Sequence, residues 1–385
     1  MAELFEARIE TIAAGGAGLA RVGGKPVFVK GGITGERLVC RITKDHRSWA
    51  QAELLEILDA SQDRARPVCG VYGKCGGCNL QHLDYQAQLA AKTSILKEAF
   101  VRIGGCSPPE PEVIPSDPWE YRNRMQFHAV RQNHKKNSGI LWGLSSEKSA
   151  ELVPVPDCPV ADPGIRKLLG EEEKKTLLTP PQKDRFNVYA RGGLFLSEGS
   201  VSRGKTKILD QELCLDASLF FQSNGAALEK LVADLLSIAG EADRSLPMAD
   251  LFCGIGTFAA FLGKLFPTAH LVEENKAAIA LARENMSAHG DFFAQRSEDW
   301  AERNNLRNFG FIIADPPRQG LSQSLALRLA TEGPPLLAYV SCDPATLARD
   351  SRILTGGNYS LKELRFYDFY PQTAHIESLA VFIKK

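Results

Sequence analysis

From about residue 216 to the C-terminus the chain alternates short apolar runs with helical patterns. The apolar runs are Met248–Cys253, Ala269–Glu273, Phe311–Ala314, Leu336–Ser341 and Ser378–Ile383. Ala226–Ile238 carries Leu228, Leu231, Val232, Leu235 and Leu236 at helical spacing. Strand–helix alternation over roughly 150 residues leaves one common solution, a doubly wound and mostly parallel sheet with helices on its faces. Such sheets bind ligands outside the carboxyl ends of their strands, so chemistry is sought there.

The N-terminal half reads differently. Phe5–Ile12, Leu19–Val22, Pro26–Val29, Glu36–Thr43 and Ala50–Leu58 are short β-segments punctuated by Gly15-Gly16, Gly23-Gly24 and Gly31-Gly32, and they predict a small barrel over 1–58. A central domain over 59–215 comes next, with a helix over Tyr85–Ile103 stopped by Gly104-Gly105 and a Pro-rich connector at 107–118. Its strands are Tyr121–Val130, Gly139–Leu144, Phe186–Ala190, Leu194–Leu196 and Ile208–Leu213; the charged Glu171–Asp184 stretch reads as a solvated excursion. The helix near 85–104 is expected to pack on the catalytic domain, 216–385. The 46 basic residues balance the 46 acidic ones, so any nucleic-acid footprint must be local. The first ten residues show no apolar leader, and no apolar run approaches a bilayer span. A soluble, cytoplasmic protein is expected, in which nine cysteines stay reduced and clustered ones serve metal binding or catalysis.

Asp250-Leu-Phe252-Cys-Gly254-Ile-Gly256-Thr257 comes after the first strand of the alternating region and opens a helix. Glycines let the backbone approach a ligand, and the helix N-terminus offers free N–H groups. Glu273 ends the next strand, 19 residues after Gly254, where a carboxylate can take both hydroxyls of a ribose. The loop alone fits either an adenosyl or a nicotinamide cofactor. Asp315-Pro-Pro-Arg318 then caps the strand Phe311–Ala314 on the same edge. A strand-end Asp-Pro-Pro resembles the motif of S-adenosylmethionine-dependent methyltransferases acting on nucleobases.

Cys342 ends the strand Leu336–Ser341 on that edge, where a thiol suits a nucleophile. Carbon 5 of uracil is too weak a nucleophile to take a methyl group unaided. A thiolate adding at carbon 6 makes an enolate that can, and a base must then remove the carbon 5 proton. Tyr339-Val-Ser-Cys342-Asp-Pro-Ala-Thr-Leu-Ala-Arg-Asp350 and Tyr370-Pro-Gln-Thr-Ala-His375-Ile-Glu377 resemble the two signatures of the RNA uridine-5-methyltransferase family. The resemblance makes Cys342 the nucleophile and Glu377 the base, with His375 a local orienting residue. It also covers Phe220-Phe-Gln222-Ser-Asn224. It implies cofactor contacts from Gln222, Phe252, Gly254, Gly256, Thr257, Glu273, Ser297 and Asp315, and a helix cap from Asn224. Thr257 and Ser297 stand where the family often has Asn.

Cys69-x5-Cys75-Gly-Gly-Cys78, with Cys158-Pro159 eighty residues on, supplies four thiols. Three grouped cysteines plus a distant fourth suit an iron–sulfur cluster better than zinc, which favours two close pairs. The family members acting on ribosomal RNA have this arrangement and hold a 4Fe-4S cluster on it. Residues 121–136 contain five Lys/Arg and two His and no acid, which points to phosphate contact from Arg122, Arg124, His128 and Arg131. Arg122, Arg124, Gln126 and His128 alternate onto one strand face, with Tyr121 or Phe127 available for base stacking. In the barrel, Arg37, Arg41, Lys44, His46 and Arg47 form a second basic run. The resemblance, which covers the whole chain, implies an α/β catalytic domain of the Rossmann-like class I methyltransferase type. Before it come a small OB-like barrel of TRAM type and a central α+β iron–sulfur domain. It implies an S-adenosylmethionine-dependent RNA uracil-5-methyltransferase acting on large-subunit ribosomal RNA; a monomer is expected, and the short apolar runs predict no membrane partner. A tRNA uridine methyltransferase, a non-catalytic RNA-binding assembly factor and a nicotinamide oxidoreductase are the competing readings.

Overall fold

A computed structural model of the chain describes residues 4–134, 137–146, 151–180, 184–286 and 289–385; the side chains of 130–134, 137–139 and 172 lie outside the described set. The chain forms two compact units, one comprising Met1–Ile95, Leu144–Val153 and Tyr370–His375, the other Leu96–Gly143, Pro154–Phe369 and Ile376–Lys385. No helix among the described residues is long and apolar enough to cross a membrane.

The first unit begins with six strands, β1 (Leu4–Arg8), β2 (Thr11–Ile12), β3 (Gly18–Val22), β4 (Lys25–Lys30), β5 (Arg37–Asp45) and β6 (Ala50–Asp59). They form one sheet in the order β1-β5-β6-β4-β3-β2 around a core of Ala7, Ile9, Ala20, Val27, Val29, Leu38, Cys40, Ala50 and Ala52. The expected first strand, Phe5–Ile12, is two strands, because the chain leaves the ladder at Ile9 and Glu10, where their N–H groups bond Glu36 and Leu19 instead. Buried Glu36 staples the sheet to the segment after β6: its carboxylate accepts from Arg64, Ser61 N and Ile33 N. Helix α1 (Tyr85–Ala99) comes after the cysteine loop and continues as one π-helical turn, Phe100–Gly104, closed by left-handed Gly105.

In the second unit a ladder holds β8 (Arg124–His134) between β9 (Asn137–Ser145) and β11 (Arg185–Arg191), with β12 (Leu194–Ser197) beyond β11. This stretch of chain also forms β7 (Glu112–Ile114), β10 (Leu152–Pro154), helices α2 (Pro163–Leu169) and α3 (Glu172–Leu178), and the hairpin β13 (Arg203–Ile208)–β14 (Gln211–Asp216). Three sequence expectations give way here. The single strand expected over Ile208–Leu213 is broken by the turn of that hairpin: Ile208 ends β13, residues 211–213 open β14, and Leu209 between them takes φ 51. The solvated excursion at Glu171–Asp184 contains α3, whose Leu178 packs inward at 8% exposure. The connector at 107–118 contains β7, which adds in parallel to the edge of the large sheet.

That sheet carries the site. Its elements are α4 (Gly225–Gly240), β15 (Met248–Leu251), α5 (Thr257–Leu262), β16 (Ala269–Val272), α6 (Lys276–Asn285), β17 (Gly290–Phe293), α7 (Ser297–Arg303) and β18 (Phe311–Ala314). After them come α8 (Gln323–Glu332), β19 (Leu336–Ser341), α9 (Pro344–Gly356), β20 (Tyr359–Tyr367) and β21 (Glu377–Lys384). The strand order is β17-β16-β15-β18-β19-β21-β20-β7. β15 to β19 run parallel, and β21 and β20 enter antiparallel. β15, β18 and β19 are buried along their whole length, as expected for strands covered by helices on both faces. The π-turn after α1 packs on α9, where a Cβ at Gly104 would meet Ala348 O at 3.3 Å.

Candidate active site

The strand ends place the reactive residues. In the antiparallel ladder Ser341 of β19 faces Ser378 of β21. One step beyond, the same register sets Cys342 directly opposite Glu377, and side chains opposite one another in such a pair share a face of the sheet. Asp315 leaves the adjacent strand β18, and its N–H is held by Leu251 O at 3.2 Å. The loop between Asp315 and α8 is clamped from below. Buried Asp350 of α9 accepts from Leu321 N and from Tyr339 Oη, both at 2.8 Å. Arg349 Nη2 donates to Gln319 O and Leu321 O. A Cβ at Gly320, φ +73, would meet Asp350 Oδ2 at 2.5 Å, so only glycine fits that turn. Asp343 caps α9 by accepting from Thr346 N at 2.9 Å, which fixes the backbone just after Cys342.

Two carboxyls, one thiol and one guanidinium act on each other at this edge. Glu377 is only 4% exposed, and burial, then the Asp315 charge, push its carboxyl well above the ordinary value while Arg318 opposes them. Asp315 keeps some solvent contact, yet burial pushes it up to about 7. The Cys342 thiol is pushed up to about 11 by burial and then by Glu377 and Asp315, against Arg318. A solvated strand-end Glu377 is therefore excluded: the group is buried and half of a crowded carboxyl pair. Arg318 ends the Asp-Pro-Pro-Arg motif, and sequence reasoning gives it no role. In the structure it is the basic residue whose charge favours both the thiolate and the Glu377 carboxylate.

The glycine loop opens toward the same edge. Phe252 and Gly254 take left-handed conformations, φ 63 and 54, and nothing lies within 4 Å of a Cβ placed on Gly254, so a ligand can reach its backbone. Gly256, φ +77, caps α5 and is pressed against Ala282, whose Cβ would be 3.0 Å from an added Cβ. Thr257 is the first residue of α5. Glu273 comes just after β16 and accepts from Gly254 N at 3.2 Å and Asn275 N at 2.7 Å, which leaves lone pairs for ribose hydroxyls. Ser297 opens α7 and is 2% exposed. Gln222 is 6% exposed with its Oε1 unpartnered among the described residues. Asn224 caps α4 through Ala227 N at 3.1 Å and also donates to Phe369 O, the role read from the sequence. Asp250, to which the sequence gives no role, is fully buried. One oxygen accepts from Ala259 N at 3.0 Å, the other has no partner among the described residues, and burial raises the carboxyl to about 8.

Cys69, Cys75 and Cys78 lie on one loop of the first unit, where Gly77 N donates to Cys75 Sγ at 3.3 Å; Cys158 belongs to the second unit. None of the four is in a disulfide. Among the described residues no three His, Cys, Asp or Glu side chains are gathered closely enough to hold a single metal ion. His375 packs edge-to-face on Tyr370, centroids 5.5 Å apart. On β8, Met125, Phe127 and Ala129 face the core, and Arg124, Gln126 and His128 face outward; Arg122 precedes the strand, and the Arg131 side chain lies outside the described residues. Tyr121 and Phe127 are not stacking platforms, being 8% and 0% exposed. The aromatic offered there is Phe220, 61% exposed, with Arg124 5.9 Å over its ring. Of the barrel's basic run, Arg41 pairs with Glu53 at 2.6 Å and Arg37 with Asp59 at 3.3 Å, while His46 stacks on Trp49 with centroids 4.1 Å apart.

Comparison with known proteins agrees with this geometry. Residues 3–55 match the family described as TRAM domain, 230–338 the Methyltransferase small domain, and 302–385 the tRNA (Uracil-5-)-methyltransferase family. An uncharacterized RNA methyltransferase of Treponema denticola is 30% identical, with 94% of each chain covered. The 23S rRNA (uracil(1939)-C(5))-methyltransferase of Vibrio cholerae is 28% identical over 98% of this chain and 95% of its own. The crystal structure of Pyrococcus abyssi tRNA (uracil-54, C5)-methyltransferase with S-adenosyl-L-homocysteine superposes with a TM-score of 0.74, covering 98% of this chain and all of that one at 22% identity. The fold is that of class I methyltransferases, and with a TRAM domain at its N-terminus the chain belongs to the RNA uracil-5-methyltransferase family.

Proposed function

We propose that this protein methylates carbon 5 of a uridine in large-subunit ribosomal RNA through a covalent adduct on Cys342. The observation that carries the reading is the register of β19 and β21, which sets Cys342 and Glu377 opposite one another beside Asp315. The higher sequence identity to an enzyme of large-subunit ribosomal RNA, 28% against 22% to a tRNA enzyme of the same fold, supports that substrate over tRNA. The target base has to leave its stack to reach a strand-end pocket, and Arg124 with Phe220 offers a place for flanking RNA.

S-adenosylmethionine, the second substrate, supplies a methyl group and a positive sulfonium. Glu273 would hold its ribose, Gln222 and the Gly254–Thr257 backbone its methionine end, and Phe252, Ser297 and Asp315 its remaining faces. The chemistry of the chain then runs in two steps. The Cys342 thiolate bonds to carbon 6, and the electron pair displaced to carbon 5 takes the methyl group. Glu377 removes the carbon 5 proton, the double bond reforms, and the thiolate leaves. In the RNA-free site the thiol is protonated at neutral pH, since burial, and after it the two carboxyls, outweigh Arg318. Added positive charge at this edge favours both the thiolate and the Glu377 carboxylate.

A cluster of 4Fe-4S type on Cys69, Cys75, Cys78 and Cys158 completes the reading. It is supported by four cysteines outside any disulfide, by three of them on one glycine-containing loop, and by the main-chain N–H aimed at Cys75. Its part would be to hold the loop in shape. Anaerobically purified protein should be brown and contain iron and sulfide; colourless protein with stoichiometric zinc would refute it.

The nucleophile and the base should fail differently. Cys342→Ala should neither methylate nor trap RNA. Glu377→Gln should still add and transfer, then stall as a methylated protein–RNA adduct that survives denaturing electrophoresis, because removing a general base slows its step by ~10²–10⁴. Appreciable 5-methyluridine from Cys342→Ala would end the covalent reading. The pH behaviour offers a second check. Alkylation of the Cys342 peptide by iodoacetamide should rise toward pH about 11 in the RNA-free protein. In Glu377→Gln one opposing charge is gone, the thiol pKa falls, and the rise should come at lower pH. An unchanged profile would place the carboxyl too far from the sulfur.

A further inference from the structure

The second unit contains a cavity of about 470 Å³ that none of the residues assigned to the reaction accounts for. Its walls include Trp119, Tyr121, Asn123, Asp162, Arg191 and the start of α4. That volume falls in the range of about 300–1,000 Å³ typical of small-ligand sites. Asn123 is the unusual member. It is 1% exposed, and neither its Oδ1 nor its Nδ2 has a hydrogen-bond partner among the described residues. Its backbone is fully engaged, with N–H donating to Ser223 O at 2.9 Å and C=O accepting from Ala190 N at 2.8 Å. The residue is held rigidly beside the cavity, and its buried amide keeps an unmet donor and an unmet acceptor among the described residues. Buried amides are normally paired, and one that is not is a cost unless something arrives to meet it.

The remaining walls say what could arrive. Arg191 is already committed: Nη2 donates to Glu229 Oε1 at 2.8 Å and Nη1 to Lys207 O at 2.9 Å. Its guanidinium lies so close to the N-terminus of α4 that a Cβ on Gly225 would meet Cζ at 2.5 Å. Asp117, Glu120 and Asp162 also line the space, so a phosphate would meet more negative than positive charge. A flat, neutral ring with hydrogen-bond donors would not. Trp119, half-buried on the wall, offers a stacking face. Next to it Glu120 is held left-handed at φ 56, with its N–H bonded to Pro159 O and its carboxylate to Arg166, strain of the kind that clusters at ligand sites.

We infer that this cavity receives an unpaired nucleobase carrying an exocyclic amino group, from a nucleotide of the substrate RNA other than the methylated uridine. The base would stack on Trp119, pair its donor–acceptor edge with the Asn123 amide as amides do with adenine, and give its amino hydrogens to the acidic wall. The RNA source rests on the proposed function; the base-binding chemistry does not.

The test is calorimetric titration of the full chain, saturated with S-adenosylhomocysteine, with AMP, GMP, CMP and UMP in turn. At least one amino-bearing nucleotide should bind saturably. Asn123→Leu, which removes both polar ends at similar volume, should weaken it roughly tenfold or more, the scale of a lost buried hydrogen-bonding pair. Trp119→Ala should weaken it comparably, and Trp119→Phe should restore it. UMP binding, where seen, should be insensitive to Asn123→Leu. A structural role for Asn123 would lower the melting temperature of Asn123→Leu, whereas a ligand-reading role predicts a melting temperature unchanged or raised. With substrate RNA, Asn123→Leu should raise the KM for RNA and leave kcat within about twofold, since the residue acts on a flanking base. No saturable nucleotide binding, equal binding by Asn123→Leu, or Asn123-dependent binding of spermidine in place of nucleotides would overturn the inference. Failure of the wild type to methylate any RNA would count against the proposed function and leave the titration result standing.

Discussion

Burial of carboxyl groups at the carboxyl edge of a parallel sheet is the interaction on which the rest of this molecule's chemistry depends. Parallel strands covered on both faces deliver their ends into a space walled by protein, where a charged carboxylate loses most of its hydration. Asp250 and Asp315 are pushed up to about 8 and 7 for that reason, and Glu377 moves in the same direction. Cys342 meets the same penalty with two acids beside it. One arginine, Arg318, leans the other way. The site is thus short of positive charge as it stands, and a cationic methyl donor is the partner that such an imbalance favours.

The geometry behind this balance comes from a few backbone constraints. Inserting β21 antiparallel beside β19 puts the end of one strand against the beginning of the other, so two residues far apart in sequence face each other. No parallel neighbour could do this, because parallel strands bring like ends together. The Asp315 loop is then held by Tyr339 and Leu321 through one buried carboxylate, Asp350. Gly320 and Gly256 combine a positive φ with close approach of a neighbour, one under that loop and one under the cofactor loop.

Much of the site was legible in the sequence because its residues sit at strand ends marked by short local signals. A glycine loop after an apolar run, an acid after the next strand and Asp-Pro-Pro after a third all appear at the carboxyl edge of the sheet. Cys342 and Glu377 needed the family resemblance, since nothing local says that the strand opening at Glu377 runs antiparallel. What escaped was decided by tertiary burial. Phe127 and Phe220 both come after a polar residue or leucine in unremarkable surroundings, yet one is in the core and the other is 61% exposed. Ile208–Leu213 has strand composition, but Leu209 takes a left-handed turn that a β-former rarely adopts. The charged run at 171–184 hid a short helix whose apolar residues are too few for a clear period. The orphaned amide of Asn123 has no sequence signal at all, because unpaired burial exists only in three dimensions.

If Cys342 serves carbon 5 methylation of a uridine in large-subunit ribosomal RNA, the modification must depend on its sulfur in the cell. Mass mapping of methylated uridines in ribosomal and transfer RNA tests this most directly, in a strain lacking this protein and in the same strain carrying the wild type or Cys342→Ala. The expected result is that a large-subunit rRNA 5-methyluridine is lost, returns with the wild type and does not return with Cys342→Ala. Ribosomal RNA unchanged on deletion, or a methyl group restored by Cys342→Ala, would contradict it.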